Sequence, residues 1–232
     1  MRNLQDCHVV ITGGTGALGT AVAKALVEAG AYCHVPAIET TVPAGRFPKD
    51  GVSVTTGIDL SSEASVAGFY AGLPPLHAVV NIAGGFAWAP IADSPAKVVQ
   101  QQLSMNFVSC AMSCREAVAN FRKAGKGGHI VNISARPALN PRQGASMTAY
   151  TASKAAVAAF TVALAEELKA ENITVVALCP STIDTPVNRA DMPTADHSSW
   201  VKPAAIAELI VAQLSLSDPI NSGALIPVYG KA

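Results

Sequence analysis

Tyr150 and Lys154 are the two side chains whose spacing most directly suggests chemistry. They lie four residues apart in the segment AYTASKAAVAAF, which we predict to be helical, so both side chains share one helix face. An ammonium beside a phenol stabilises the tyrosinate and lowers the tyrosine pKa towards neutrality, so that the hydroxyl can exchange a proton with a substrate. We therefore expect Tyr150 to act as a catalytic acid. The alternative is an ordinary exposed helix pair, since this spacing also arises by chance.

A glycine-rich segment near the start of the chain offers a second kind of chemistry. TGGTGALG, from Thr12 to Gly19, separates a Val/Ile-rich run from a segment with helical spacing. Glycine permits a tight turn and lets backbone N–H groups approach a pyrophosphate at the positive end of the following helix. The strand, loop and helix context favours a dinucleotide site over a glycine-rich turn without a ligand.

The residues that would read the adenosine ribose depart from the usual pattern. An acidic residue is expected about 20 positions beyond the glycines, but Pro36 and Ala37 stand there and Glu39 comes slightly late. Arg46 is positioned to meet a 2′-phosphate, although a lone loop arginine is often only solvated. We therefore expect NAD(P)(H) as the cofactor, with NADP(H) favoured over NAD(H).

The elements that must position these residues repeat along the chain. Val/Ile-rich runs that are continuous rather than alternating are typical of parallel strands covered on both faces. Helical segments separate them, which predicts an α/β fold with a single Rossmann-type doubly wound domain over residues 1–232 and a seven-stranded, mostly parallel sheet. The predicted strands are 7–12, 31–36, 52–58, 78–82, 128–133, 174–179 and 223–228.

Composition narrows the function classes. Of the 232 residues 50% are hydrophobic and 14% charged, and sixteen basic residues balance sixteen acidic ones. No basic run suggests nucleic acid or an anionic membrane as a partner, and no apolar stretch has the length of a membrane helix. Without a secretory leader a cytoplasmic location is expected. The five cysteines are expected to be reduced, and the five histidines form no pair at ligand spacing, so we expect no metal.

Together with several further motifs, these segments resemble the short-chain dehydrogenase/reductase family over nearly the whole chain. The resemblance implies an oxidoreductase that moves a hydride between the nicotinamide and a small carbonyl or alcohol substrate. Tyr150 and Lys154 match the catalytic pair, and Lys154 would also bind the nicotinamide ribose. Asn106 in MNFVS matches a helix asparagine that supports the active site through water.

The same resemblance implies a set of cofactor-binding residues. They are Gly13, Thr15, Gly16, Ala17, Leu18 and Gly19 in the loop, Asp59 at the adenine, Asn81, Ala83 and Gly84 in the NIAGG turn, Tyr150 and Lys154, and Pro180, Thr182, Ile183 and Thr185 over the nicotinamide.

The resemblance also implies a homodimer or homotetramer built on the helix that starts near Tyr150, whose small residues suit close packing. Burial of that helix within its own chain is the alternative.

Three departures from the family pattern stand out. Ala17 occupies a usual glycine position, and the chain ends in IPVYG rather than the common DGG. The family serine, which would hold the substrate carbonyl, is replaced by Ala135 in VNISARP. Ser134 points to the opposite face of a regular strand, and Ser146 or Thr148 near Tyr150 could substitute for the missing serine.

Dihydropteridine reductase-like members of the family also keep the Tyr and Lys and lack this serine. The chain resembles them in GALG, in the segment from Ala83 to Phe86 and in a lid over residues 182–203. This resemblance implies a quinonoid dihydropterin as an alternative substrate, with Phe86, Trp88 and Trp200 available for stacking and Ser134 and Ala135 at the substrate. A different class remains open: a non-catalytic NAD(P)-binding sensor.

Overall fold

A computed structural model describes residues 4–216 and 221–231. Seven parallel strands form one sheet in the order β3-β2-β1-β4-β5-β6-β7. They are β1 (His8–Thr12), β2 (Tyr32–Pro36), β3 (Val52–Thr55), β4 (Ala78–Asn81), β5 (Gly128–Ile133), β6 (Ile173–Pro180) and β7 (Leu225–Val228). The predicted fold is confirmed, with every strand pairing parallel; β3 is shorter and β6 longer than the sequence suggests.

Eight α-helices connect and cover these strands in the described residues. They are α1 (Ala17–Glu28), α2 (Glu63–Ala71), α3 (Ala96–Leu103), α4 (Ser109–Ala124), α5 (Arg136–Leu139), α6 (Thr148–Leu168), α7 (Pro186–Asp191) and α8 (Pro203–Leu214). A π-helical turn, Ser104–Val108, joins α3 to α4. Such turns displace side chains from the regular helix ladder, and this one contains Asn106.

Two apolar cores lie on opposite faces of the sheet because strand side chains alternate. On one face Val22 of α1 and Ile210 of α8 pack against Val9 and Ile11 of β1. On the other face α2, α4 and α6 cover Val10 of β1 and its neighbours. Helices on both faces explain why the strands read as continuous apolar runs.

The chain reverses direction across the sheet between β1 and β4, since β2 and β3 lie on one side of β1 and β4 to β7 on the other. Ligands of doubly wound sheets bind at the carboxyl ends of the strands at such a reversal. The glycine loop after β1 and the NIAGG turn after β4 meet there. No helix within residues 4–216 and 221–231 has the length and apolar character needed to cross a membrane.

Candidate active site

The glycine loop forms a close-packed cradle at the start of α1. Gly13 has φ of +65°, and a Cβ built there would lie 2.7 Å from the backbone nitrogen of Ala83. A Cβ on Gly19 would lie 2.3 Å from the carbonyl oxygen of Gly13. The N-cap residue Gly16 supplies no side-chain cap, and the first turn of α1 contains no acidic residue. The first amides of α1 are therefore available to an anion, as a dinucleotide pyrophosphate requires.

Two charged side chains flank Thr15 at the outer end of this cradle. The Thr15 hydroxyl donates to Glu39 Oε1 at 3.0 Å, and the Arg46 guanidinium donates to the Thr15 carbonyl oxygen. Ala37, at the end of β2, is buried and offers no carboxylate. The residues that could read an adenosine ribose are thus Glu39 and Arg46, both reaching in from the loop after β2.

Asp59 and Asn81 have structural partners of their own. Asp59 is exposed and accepts hydrogen bonds from the backbone and hydroxyl of Ser61. Asn81 is 3% exposed, and its Nδ2 donates to Asn132 Oδ1 at 2.9 Å and to the Cys114 sulfur at 3.2 Å. The amide of Asn81 therefore lies in the buried layer beneath the site, so a cofactor contact there would have to come from its backbone.

Asn106 fastens the NIAGG turn to the helices below it. Its Oδ1 accepts from the Gly85 amide at 2.9 Å and its Nδ2 donates to the Gly85 carbonyl at 3.0 Å. The same Nδ2 lies 2.9 Å from the Ser153 hydroxyl, which in turn donates to the Tyr150 carbonyl at 2.7 Å. Asn106 thus links the turn to the helix that carries the tyrosine.

Ser153 and Thr12 complete this framework, although the sequence analysis did not select either of them. Ser153 has no exposed surface and stands one residue before Lys154, between the two candidate catalytic residues. The Thr12 hydroxyl accepts from the amides of Ile82 and Ala83, which ties the end of β1 to the NIAGG turn. Both hydroxyls lie inside motifs, but their burial and partners depend on the fold, so no sequence signal selects them.

Lys154 is buried at the carboxyl end of β5. Its Nζ donates to the Ile133 carbonyl at 2.9 Å, and burial lowers its pKa to about 8. Burial also raises the pKa of Tyr150 to about 12. In the chain by itself the ammonium is directed to the strand carbonyl, and desolvation dominates the pKa of both groups. The lowering of the Tyr150 pKa by Lys154 stays a prediction.

The end of β5 shows what replaces the family serine. Ala135 is 4% exposed and directly precedes α5. Ser134 is 1% exposed, and its hydroxyl donates to the Lys154 carbonyl at 2.7 Å, which argues against a substrate contact. Ser146 adopts a left-handed turn conformation with φ of 61°, and Thr148 is exposed at the first position of α6. No recorded hydrogen bond links either hydroxyl to Tyr150.

Aromatic rings line one side of Tyr150. Phe86 meets the Tyr150 ring edge to face, with centroids 4.9 Å apart, and Trp88 lies 6.4 Å from Phe86. Phe86 and Trp88 are 54% and 64% exposed, an unusual state for large apolar rings that have no binding role. Trp200 instead lies against His197, with a centroid distance of 4.4 Å.

The two ends of the predicted lid lie side by side. Parallel bridging of Ile183 with Val201 closes the base of the segment, and the Asp184 and Val201 amides donate across it. Thr185 caps α7 by accepting from the Asn188 amide. The hydroxyl proton of Thr185 is not used by that bond.

Within the described part of the chain, no group of three or more His, Cys, Asp or Glu side chains is placed to hold a metal.

Residues 7–196 match the family model described as short chain dehydrogenase. The chain is 32% identical over 188 residues to the "Probable oxidoreductase EphD" of Mycobacterium tuberculosis, a match covering 78% of this chain and 31% of that protein. The chain therefore spans about a third of the length of that relative.

Other similar proteins have a length closer to that of the chain. A "3beta-hydroxysteroid dehydrogenase" of Mediterraneibacter gnavus is 29% identical over 204 residues, covering 81% of this chain and 70% of that protein. A short-chain type dehydrogenase/reductase from Mycobacterium ulcerans superposes with a TM-score of 0.88 at 25% identity, covering 99% of this chain and 90% of that one. Levodione reductase, at 21% identity with a TM-score of 0.88 over 98% of this chain and 97% of its own, shares the fold.

Proposed function

Since the chain belongs to the short chain dehydrogenase family, we propose that it is an NAD(P)(H)-dependent oxidoreductase acting on a small carbonyl or alcohol substrate. One continuous line of contacts supports this proposal. The Gly13 turn touches Ala83, and a Cβ on the next residue, Gly84, would lie 2.3 Å from Asn106 Oδ1 and 3.4 Å from Lys154 Nζ. The cradle, the NIAGG turn and the buried ammonium thus meet at one place.

The residues around this place have distinct proposed roles. When bound, NAD(P)(H) would supply or accept the hydride. Tyr150, whose pKa burial raises to about 12, is protonated at neutral pH and donates the proton to the substrate oxygen during reduction. Lys154 contributes the positive charge that favours the tyrosinate left behind, and Asn106 holds the NIAGG turn and α6 in register.

We infer that NADP(H) is preferred to NAD(H), and Arg46 carries this inference. Its guanidinium lies at the Thr15 carbonyl, beside the glycine cradle, and is suited to a phosphate. Glu39, which accepts from Thr15, supports the competing arrangement in which a carboxylate bonds the ribose hydroxyls of NAD. Arg46→Gln should weaken NADPH binding by about tenfold or more and leave NADH binding nearly unchanged. Equal losses for both cofactors in fluorescence titrations would contradict the preference.

A quinonoid dihydropterin is the second candidate substrate. It is favoured by the exposed Phe86 ring against Tyr150 and by the absence of a hydroxyl at Ala135. A missing oxyanion donor commonly costs a carbonyl reduction a factor of about 10²–10³. A flat, nitrogen-rich electrophile could instead stack on the aromatic side.

The experiment that tests the function follows loss of the reduced nicotinamide absorbance with NADH or NADPH. The electrophiles are a panel of ketones, diketones and a quinonoid dihydropterin. Turnover of carbonyls supports the main proposal, and turnover confined to the pterin supports the second candidate. Ala135→Ser should improve ketone reduction and change pterin reduction little. Tight cofactor binding without turnover of any electrophile would favour the non-catalytic sensor.

We also infer that the chain forms a homodimer or homotetramer through α6. The outward positions of that helix, Ala152, Ala159, Val162 and Ala163, are small or apolar and exposed, with Val162 at 45%. Small side chains allow close helix approach, and exposed apolar surface of this kind marks an interaction site.

A further inference from the structure

Arg136 is a charged residue close to the proposed active site that the oxidoreductase mechanism does not use. It is the first residue of α5 and directly follows Ala135. Its side chain is half-buried, and its guanidinium carbon lies 4.6 Å from the centre of the Tyr229 ring. Among the described residues no carboxylate pairs with it, and no hydrogen bond of its side chain is recorded.

The other arginines of the described chain show how unusual this is. Arg115, Arg122 and Arg189 each pair with a carboxylate, and Arg46 donates to a carbonyl. Arg142 has no recorded partner either, but it is exposed to solvent. Arg136 alone combines partial burial with an unmatched charge in this part of the chain.

The contact with Tyr229 leaves the donor groups of Arg136 unused. A guanidinium stacks on an aromatic ring through its flat face, whereas its five N–H donors lie in the guanidinium plane. A guanidinium that contacts the ring through its flat face has its N–H edge free for a further partner. An edge with two parallel N–H groups matches a carboxylate or a phosphate in a bidentate arrangement.

Arg136 lies just beyond the end of β5, where two preceding residues contact Lys154. Ile133, three residues earlier, accepts the hydrogen bond from Lys154, and Ser134 bonds the Lys154 backbone. Tyr229 follows β7, and its carbonyl accepts from the hydroxyl of Ser181. Ser181 directly follows Pro180, the start of the loop proposed to cover the nicotinamide. The Arg136 and Tyr229 pair therefore lies between the end of β5 and that loop.

We propose that Arg136 binds an oxyanion on the substrate, so that the natural substrate is a carbonyl or alcohol compound that also carries a carboxylate or a phosphate. This inference rests on the proposed function, because it assigns an additional anionic group to the substrate that Tyr150 protonates. An anionic group supplies the counter-charge that the half-buried guanidinium lacks among its described neighbours. Arg136 acts as a specificity-determining residue and takes no part in proton or hydride transfer.

The test compares matched substrates on three proteins. The substrates are keto acids, their neutral methyl esters, and phosphate-bearing ketones of similar size, assayed with wild type, Arg136→Gln and Arg142→Gln. We expect wild type to prefer one anionic series, which identifies the anion as carboxylate or phosphate. Arg136→Gln should lower kcat/KM for that series by about tenfold or more, mainly through KM, and leave the esters unchanged. Arg142→Gln, which removes the same charge from an exposed position nearby, should change neither.

Two results would overturn the inference while the proposed function stands. One is equal wild-type kcat/KM for anionic and neutral carbonyls. The other is an equal loss on both series in Arg136→Gln together with a lower Tm, which would mean that Arg136 only holds Tyr229 in place. Arg136→Lys separates these effects further, since it keeps the charge and should recover part of the anion preference.

If no carbonyl of any series is reduced, the proposed function fails. The oxyanion site is then tested by whether the anionic compounds bind to the protein. The readout is then the Tm of the NADPH-bound protein with each compound added. A rise produced by the acids or phosphates but not by the esters, and lost in Arg136→Gln, supports the site. Its absence contradicts the site.

Discussion

Lys154 is a charged residue in a buried position, and burial disfavours its charged form. The residue is 6% exposed, and its ammonium has one recorded acceptor, the Ile133 carbonyl. Burial of a charge that is incompletely paired costs stability, and the lowered pKa expresses that cost. A buried charge that lowers stability is typical of active sites, where the charge takes part in catalysis.

The two pKa values predict opposite effects of pH on activity and stability. Reduction should be fastest below pH 8 and decline by about tenfold per pH unit above it, because Lys154, with a pKa of about 8, loses its charge. Tyr150 stays protonated throughout this range. The folded pKa of Lys154 lies below its unfolded value near 10.5, so the unfolded chain binds more protons between these values. The contribution of Lys154 to the free energy of unfolding should therefore rise with pH.

Lys154→Met isolates that contribution. The variant should lose turnover yet be the more stable protein at pH 7, by up to about 3 kcal/mol if the full shift is expressed. Its advantage in urea unfolding should shrink towards pH 10 as the wild-type lysine becomes neutral. A variant that is less stable than wild type at pH 7 would show that the bonds of the ammonium outweigh its desolvation.

Three segments that are distant in sequence are joined at one edge of the sheet. Thr12 bonds the NIAGG turn after β4, Asn106 bonds the same turn from the π-helical turn, and Ser153 connects Asn106 to α6. The site is therefore positioned by backbone hydrogen bonds to a few buried side chains. Such support fixes catalytic groups more tightly than loop placement alone.

The glycine cradle can be tested at two neighbouring positions with opposite expectations. Gly19→Ala would place a Cβ 2.3 Å from the Gly13 carbonyl, whereas a Cβ on Gly16 would approach the same atom only to 3.4 Å. Gly19→Ala should abolish measurable NADPH binding and lower the Tm. Gly16→Ala should bind with a Kd within about threefold of wild type, because its φ of −76° suits alanine. Similar behaviour of the two variants in fluorescence titrations would contradict the proposed cradle.

Particular residues show how far sequence reasoning reaches in this protein. The seven strands were predictable because strands buried on both faces have continuous apolar runs. The roles assigned to Tyr150, Lys154 and the glycines from their spacing stay predictions. The inward direction of the Asn81 amide, the use of the Ser134 hydroxyl by α6 and the role of Ser153 were not predictable. These depend on which buried polar groups meet across the fold, and a local pattern does not contain that information. The Arg136 and Tyr229 pair joins the ends of β5 and β7 and is invisible to spacing for the same reason.

At the scale of the whole molecule, the exposed face of α6 predicts self-association. Light scattering coupled to size exclusion should give a mass of two or four times 23.7 kDa. Val162→Glu, which places a charge on a side chain that is 45% exposed, should shift the mass towards the monomer without loss of secondary structure. The matched control is Glu166→Gln, one turn further along at another exposed position. A monomeric wild-type protein at micromolar concentration would contradict the proposed assembly.

Tyr150→Phe separates cofactor binding from proton donation. NADPH affinity is measured by fluorescence titration, and turnover is measured with the best electrophile found for wild type. We predict an NADPH Kd within about threefold of wild type and a loss of kcat of at least about 10²-fold, because only the acidic hydroxyl is removed. Turnover retained at the wild-type rate with intact binding would contradict the assignment of Tyr150 as the proton donor, and with it the proposed mechanism.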